Sequence, residues 1–418
     1  MAIGGDLKAT PSQQVVTVAS FSFLPNDVER TRVEVSDEEG PLVASDWSEP
    51  GEKRETVRLL GMPASSTLTA RLVTEGGEEL DSVEFETGAP PPQVPVLTVT
   101  GEPGWAGYNF TSVIGTENVA LVLDERGRVI WYHVSEDEVV LSRTRLRPDN
   151  EGITYLMAPG GAGKPQYLAD VDWDSAEEAR FAEDQHVTHD FVFRPDGGIT
   201  TLVTTQIVVA GETKRSGALV ELQEDGTGET VWIGEDTWPA GVNGEGPFEG
   251  PHVNTLTYDA ERDWYWWTVQ NADSLLNYDR AAATWHHMLG NSGADYTYVG
   301  DPGLLGPHHI SLSGDTIRIH DNRDVDTNSR IVEYQLDSTA MTATFTREWF
   351  HDPPVYDFAL GDVHTRSDGS MLVTWCSSGL IDDFGPDGTI RASLAGPLGA
   401  AFGYGELHDS LPGQVRLR

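Results

Sequence analysis

Cysteine is almost missing from this chain. Cys376 stands alone, which excludes an intrachain disulfide and a cysteine metal knuckle. Its surroundings, "VTWCSSG", carry no nucleophile motif and read as a buried strand thiol. No run of about 18 apolar residues occurs, so no membrane insertion is expected. Positive charge is scarce too: 27 Lys and Arg face 67 Asp and Glu, a net of −40. Nucleic acids and anionic membranes need a basic patch to displace condensed counterions, so neither is an expected partner. The acidic surface reads as a solvated, salt-adapted coat. Helical periodicity is nearly absent. The opening "MAIGGDLKATPSQQ" lacks the charged and apolar regions of a signal peptide, which leaves the cytoplasm open as a compartment.

What is present is strand pattern. Apolar content of 38% with 12 Trp is ample for a core. Residues 1–92 alternate apolar and polar positions in "QQVVTVASFSF", "RTRVEVSD", "ETVRLLGM" and "STLTARLVTEGGEELDSVEFETG", with polar Gly-rich turns between them. That pattern predicts a small Ig- or fibronectin-like β-sandwich. "GAPPPQVP" breaks regular structure and serves as the linker, placing a boundary near Pro91.

Residues 93–418 repeat. An apolar strand, an acidic Gly turn and a second strand recur as "LVLDERGRVIW", "LADVDWDSAEEARF", "VELQEDGTGETVW", "LNYDRAAATW", "VEYQLDSTAMTATFTREW" and "IDDFGPDGTIRASL". A further hairpin precedes most copies, as in "HDFVFRPDGGITTLVTT" and "HISLSGDTIRIHDN". Two hairpins make a four-stranded antiparallel blade, and six units of about 54 residues predict an all-β, six-bladed β-propeller.

Histidines recur where the innermost strands begin: His189, His252, His308 and His364, at spacings of 63, 56 and 56 residues. Side chains at equivalent points of successive blades converge on one axis. Counting seven residues back from the turn residues Asp196 and Asp315 reaches His189 and His308. Neighbouring strand residues point to opposite faces, so His308 is expected at the axis and His309 turned toward the blade. His364 lies only four residues before Asp368, a different register. His320 reads as a packing residue. The loop "DVDTNS", Asp324 to Ser329, starts like a calcium loop but lacks its Gly and closing Glu, and reads as structural.

In order and spacing these elements resemble the bacterial arylsulfotransferase family, which pairs a small N-terminal β-sandwich with a six-bladed propeller. The carriers are "HDFVFRPDGG", "PHVNTLTYD", "HHISLSGDTIRIHDN", "NSRIVEYQLD" and the closing "GYGELHDSLPG", and they span nearly the whole chain. The resemblance implies that His189 and His308 are the family's blade histidines, Arg330 its anion-holding arginine and His364 its nucleophile. It implies a periplasmic or secreted protein acting on small aromatic esters and phenols, with no required cofactor. Two positions depart from the family. Gln270-Asn271 stands where the family often has Arg-His, and the Asp kept as Asp190 becomes His309 on the fifth blade.

Sulfuryl transfer suits such residues. A neutral imidazole attacks sulfur and splits one step into two, while a second histidine exchanges the phenolic proton. Arg330 would hold the sulfuryl oxygens, and Asn254, Asp190, His309, Asn322, Gln270 and Asn271 complete the expected substrate-binding set. Two other readings stay open. His189, His252, His308 and His364 could ring a divalent metal, zinc or calcium, that hydrolyses aryl esters, lactones or phosphotriesters. Alternatively the propeller is a binding module without chemistry. Oligomeric state is left open.

Overall fold

The computed structural model describes residues 4–115, 118–135, 140–158, 166–209, 212–223, 227–234, 250–290 and 293–417. The described residues form strands joined by turns, with two short 3-10 turns at Glu183–Gln185 and Gln270–Ala272. The third repeat's turn, at residues 224–226, lies outside the described residues.

Two sheets come first. One pairs Gly5–Pro11, Val18–Leu24 and Glu55–Leu60; the other pairs Thr31–Asp37, Gly40–Ser45, Thr67–Thr74 and Glu79–Glu86. Alternate residues of Thr31–Asp37 and Thr67–Thr74 are buried, as a half-buried strand requires. Phe21, Phe23, Val33, Val35, Leu59 and Leu72 belong to one apolar cluster contributed by both sheets. The chain returns here at its far end: Gln414–Arg416 pairs antiparallel with Gly40–Ser45. The first unit is therefore discontinuous, and the boundary near Pro91 does not separate all of it from the rest.

Six further antiparallel sheets follow in chain order. Each carries one sequence repeat on its outer strands. The second to fourth are simple meanders, beginning at Val140–Leu146, Val187–Phe193 and Val253–Asp259. The fifth begins at Pro307–Ser313 and gains Thr297–Val299 in parallel on its outer edge. The first and sixth are completed from distant sequence. Ala401–Phe402 and Glu406–His408 pair with Tyr108–Ile114, while Thr98–Gly101 pairs with Ile390–Ala395. This explains why the first repeat has no preceding hairpin: its innermost strand is the closing "GYGELH" segment.

Hydrogen bonds link the innermost strands in a closed cycle. Tyr404 N–H donates to Ser142 O, Ser142 Oγ to His189 O, and Leu256 N–H to Asp190 Oδ2. Thr257 Oγ1 donates to Ile310 O, Thr365 N–H to Ser311 Oγ, and Gly405 N–H to Asp362 Oδ2. Every one of the six sheets thus touches the next, and the sixth touches the first.

Candidate functional site

The innermost strands share a defect. Pairing with the neighbouring strand skips Ser142 in the second sheet, His189 and Asp190 in the third, Asn254 and Thr255 in the fourth, and His308 and His309 in the fifth. These are β-bulges, which re-aim side chains at the cost of local ladder bonds. His189 takes up the left-handed backbone region at φ 57°. The bulge removes the strict alternation assumed from sequence. His308 and His309 are both buried, each serving a different group of residues. It also corrects the register of the fourth sheet, where Asn254 occupies the His189 position and His252 stands two residues earlier.

Between the two groups lies Arg143, whose side chain is fully buried. Its Nε and Nη2 donate to the two oxygens of Asp190 at 2.7 and 2.8 Å, and its Nη1 donates to Asp362 Oδ2 at 3.0 Å and to Gly405 O. The guanidinium also stands 4.7 Å from the ring centre of Tyr404, whose hydroxyl reaches Asn254 O. One side chain of the second sheet therefore engages the first, third and sixth. Burying a cation this deeply is tolerable only because two carboxylates and a carbonyl meet its donors. Asp190, expected to bind substrate, is committed to this arginine.

The first group holds His189, His252 and His308. His189 Nε2 and His252 Nε2 are 3.3 Å apart, with ring centres at 5.0 Å. His252 Nδ1 faces Gln270 Oε1 at 3.2 Å, and a carbonyl oxygen can only accept, so Nδ1 carries the proton and Nε2 a lone pair. His189 Nε2–H must then be the donor to His252, and Thr188 Oγ1 donates to His189 Nδ1 at 2.6 Å. The order Thr188, His189, His252, Gln270 is a directed chain. Asn271 accepts the His252 backbone N–H through Oδ1 and donates to Gly250 O, fixing the segment before the strand.

Burial lowers the pKa of all three imidazoles. His252 is pulled down to about 4 by burial, partly opposed by its bond to Gln270. His308 falls to about 3 through burial and then the neighbouring His320 and His252. His189 drops well below its ordinary value by burial, with His252, His308 and Arg215 adding to it. All three are neutral at pH 7. His308 is already employed at both nitrogens: Nδ1–H donates to Gly306 O at 3.3 Å, while Leu360 N–H donates to Nε2 at 3.1 Å. Asn254 Nδ2 also contacts that Nε2, at 3.1 Å. His308, expected from sequence to act at the axis, thus also holds the segment before the sixth sheet.

The second group is His309, Asp362 and His364, at the floor of a cavity of about 520 Å³ whose lining includes Arg145, His309, His364 and Glu406. His309 Nδ1 lies 2.6 Å and His364 Nε2 3.2 Å from Asp362 Oδ1. Burial alone would raise Asp362, but His309, His364 and Arg143 together outweigh it and hold the carboxyl well below its usual range. The four histidines expected on one axis are thus divided, with His364 in this second group.

Arg330 joins neither. Its donors are spent on Asp321 at 2.9 Å, Asp301 and Glu348 at 2.8 Å each, and Gly303 O, inside the fifth sheet. No donor of that fork is left to hold a sulfuryl oxygen, contrary to what the family resemblance implied. Asn322 donates through Nδ2 to Leu360 O and Asp357 O, supporting the same segment as His308. His320 is more than packing: its Nδ1 donates to Asn322 Oδ1 at 3.3 Å, and its Nε2 lies 3.6 Å from the buried Asp357. In the loop at Asp324, Oδ1 accepts from the backbone of Asp326 and Thr327, a turn of the structural kind expected.

Sequence reasoning passed over Arg143, Asp362 and Tyr404. The signals were faint: paired arginines in "SRTRL" on an innermost strand, and "GDVH", which opens the His364 strand.

No protein-family model matches the chain, and no curated protein matches it in sequence. Solved structures resemble it at a distance. An auxiliary nutrient binding protein from Bacteroides ovatus is 9% identical, with a TM-score of 0.43 over 90% of this chain and 82% of that one. A periplasmic gluconolactonase from Pseudomonas aeruginosa is 11% identical, with a TM-score of 0.40 over 74% and 99%. Virginiamycin B lyase from Staphylococcus aureus is 10% identical, with a TM-score of 0.39 over 71% and 87%. Likenesses of this size carry no inference about activity.

Proposed function

We propose that the six sheets are the blades of a six-bladed β-propeller, and that the two preceding sheets form a small β-sandwich clasped by Gln414–Arg416. The closed cycle of bonds between innermost strands supports the first part. The shared apolar cluster supports the second.

On that scaffold we read an enzyme that transfers a sulfuryl group from an aryl sulfate to a phenol. The observation that carries it is the contact between His189 Nε2 and His252 Nε2, two neutral imidazoles with an assigned direction. A sulfate ester that displaces the hydrogen bond between the two rings, with the rings moving apart to admit it, meets the His252 lone pair on one side and the His189 N–H on the other. The nitrogen forms a bond to sulfur, the sulfur–oxygen bond to the ring breaks, and its electron pair stays on the phenolic oxygen, which the His189 N–H stabilises. In the second half an acceptor phenol loses its proton to the phenoxide leaving group or to imidazole and attacks sulfur, and the nitrogen–sulfur bond breaks. This reading replaces His364 by His252 as nucleophile and gives Arg330 no catalytic part.

The test is incubation with 4-nitrophenyl sulfate, with and without added phenol. Acceptor-dependent release of nitrophenol, with sulfate mass on His252 in quenched digests, supports transfer. Acceptor-independent release indicates a hydrolase, and absence of turnover on any aryl ester indicates a binding propeller.

A further inference from the structure

His309, Asp362 and His364 are the one group of three that could ligate a metal among the described residues, and it lies apart from the His189–His252 pair. We propose that these three side chains bind a divalent transition-metal ion, with its open coordination positions facing the cavity of about 520 Å³ above them.

The ligand chemistry is two imidazoles and one carboxylate, a set that binds first-row divalent ions on one face and leaves the opposite positions to water or substrate. The geometry is close to what such an ion needs. Ligand atoms at ~2.1 Å from one ion and at right angles to each other sit roughly 3.0 Å apart. The separations from Asp362 Oδ1 are 2.6 Å to His309 and 3.2 Å to His364. The carboxylate is also aimed. Its other oxygen, Oδ2, accepts from Arg143 Nη1 at 3.0 Å and Gly405 N–H at 2.6 Å, so Oδ1 is turned toward the two rings. Outer partners of this kind orient ligands in metal sites.

Each member comes from a different structural accident, which is why sequence spacing hid the group. His309 faces inward only because of the bulge it shares with His308. Asp362 and His364 sit two apart on Asp362–Thr365, a strand paired without a bulge, so they share a face. On that same face Asp362 is buried beneath, while His364 reaches the cavity. The ion would displace the proton between His309 and Asp362 and the one His364 Nε2 shares with Gly405 O. The site is independent of sulfuryl transfer at His252 and does not require it.

The experiment is calorimetric titration of the chelator-stripped full chain with Zn²⁺ and, separately, Mn²⁺. We expect one ion per chain for at least one metal, affinity weakened at least about ten-fold in His364→Ala, and affinity unchanged in His252→Gln. Should His364→Ala lose the parent's circular dichroism, His309→Gln takes its place. Absence of saturable binding by either metal to the parent overturns the proposal. So does binding that persists undiminished in the folded His364 or His309 variant, or that is lost in His252→Gln.

Discussion

His189 and His252, 63 residues apart in sequence, meet at their Nε2 atoms across 3.3 Å. The proton between them belongs to His189, because Gln270 claims the only proton of His252. Burial keeps both imidazoles neutral at pH 7.

His252→Gln should abolish turnover of an aryl sulfate, and His189→Gln should lower kcat by ~10²–10⁴-fold, the usual worth of a positioned proton donor. Glutamine keeps a polar group at each site, so both variants should still unfold cooperatively, at a lowered temperature. Steady-state kinetics beside calorimetry checks this. An inactive His189 variant with a normal His252–sulfate adduct would place the donor in the second half-reaction.

Acid should destabilise the fold by charging its buried histidines. His252 and His308 have folded pKa values of about 4 and about 3, below the ordinary value near 6.5 of the unfolded chain. The unfolded state therefore binds more protons in this window, and stability falls as pH drops from about 6.5 toward 4. Urea denaturation at pH 7 and pH 5 should show the loss, and His308→Gln should flatten the slope.

Asp357 works in the opposite sense. Burial, only partly offset by Ser377 and Ser378, raises it to about 7, so the folded state holds a proton that the unfolded state has released above about pH 4. Its contribution to stability is therefore lost as pH rises from about 4 to about 7 and stays lost above that. Asp357→Asn keeps an acceptor for Ser377 and Ser378 and offers an N–H toward His320, 3.6 Å away. The variant's advantage in melting temperature over the parent should be largest at pH 8 and much smaller at pH 5.

Arg143→Met leaves the buried Asp190 with Arg145 alone, at 3.2 Å, and the buried Asp362 with no guanidinium, and breaking one side of such a cluster costs about 3–5 kcal/mol. Arg143→Lys should recover little, because one ammonium cannot reproduce the paired bonds to Asp190. Chemical denaturation of both variants, compared with Asp190→Asn, reads the difference.

Arg330→Lys separates the structure from the family resemblance. A sulfuryl-holding arginine would lose most of its kcat on this change. With its fork bound to Asp301, Asp321 and Glu348, the variant should instead keep kcat and lose unfolding temperature.

The strands were legible because period-two burial and acidic Gly turns are local properties. "LVLDERGRVIW" and "IDDFGPDGTIRASL" each fold as the hairpin they spell. His189 and His252 were likewise found by their recurrence. What stayed hidden came from backbone irregularity and long-range pairing. A bulge at His308–His309 sends consecutive side chains to separate buried groups, and no residue pattern announces it. Arg143 reads as one more charge on a strand until the third and sixth sheets bring carboxylates to it. Arg330 misled for the converse reason: its acidic partners in the fifth sheet lie 9 and 29 residues back, outside any motif around it.

The order of assembly follows from where the edge strands come from. The second, third and fourth sheets are made from contiguous sequence and can form as soon as they leave the ribosome. The first sheet must wait for Ala401–Phe402 and Glu406–His408, and the N-terminal strands for Gln414–Arg416. Without residues 401–416 the second to fourth sheets have all their strands, while the first sheet and the N-terminal strands each lack an edge. Closure of the first sheet and of the N-terminal strands therefore depends on residues 401–416, and closure of the second to fourth sheets does not.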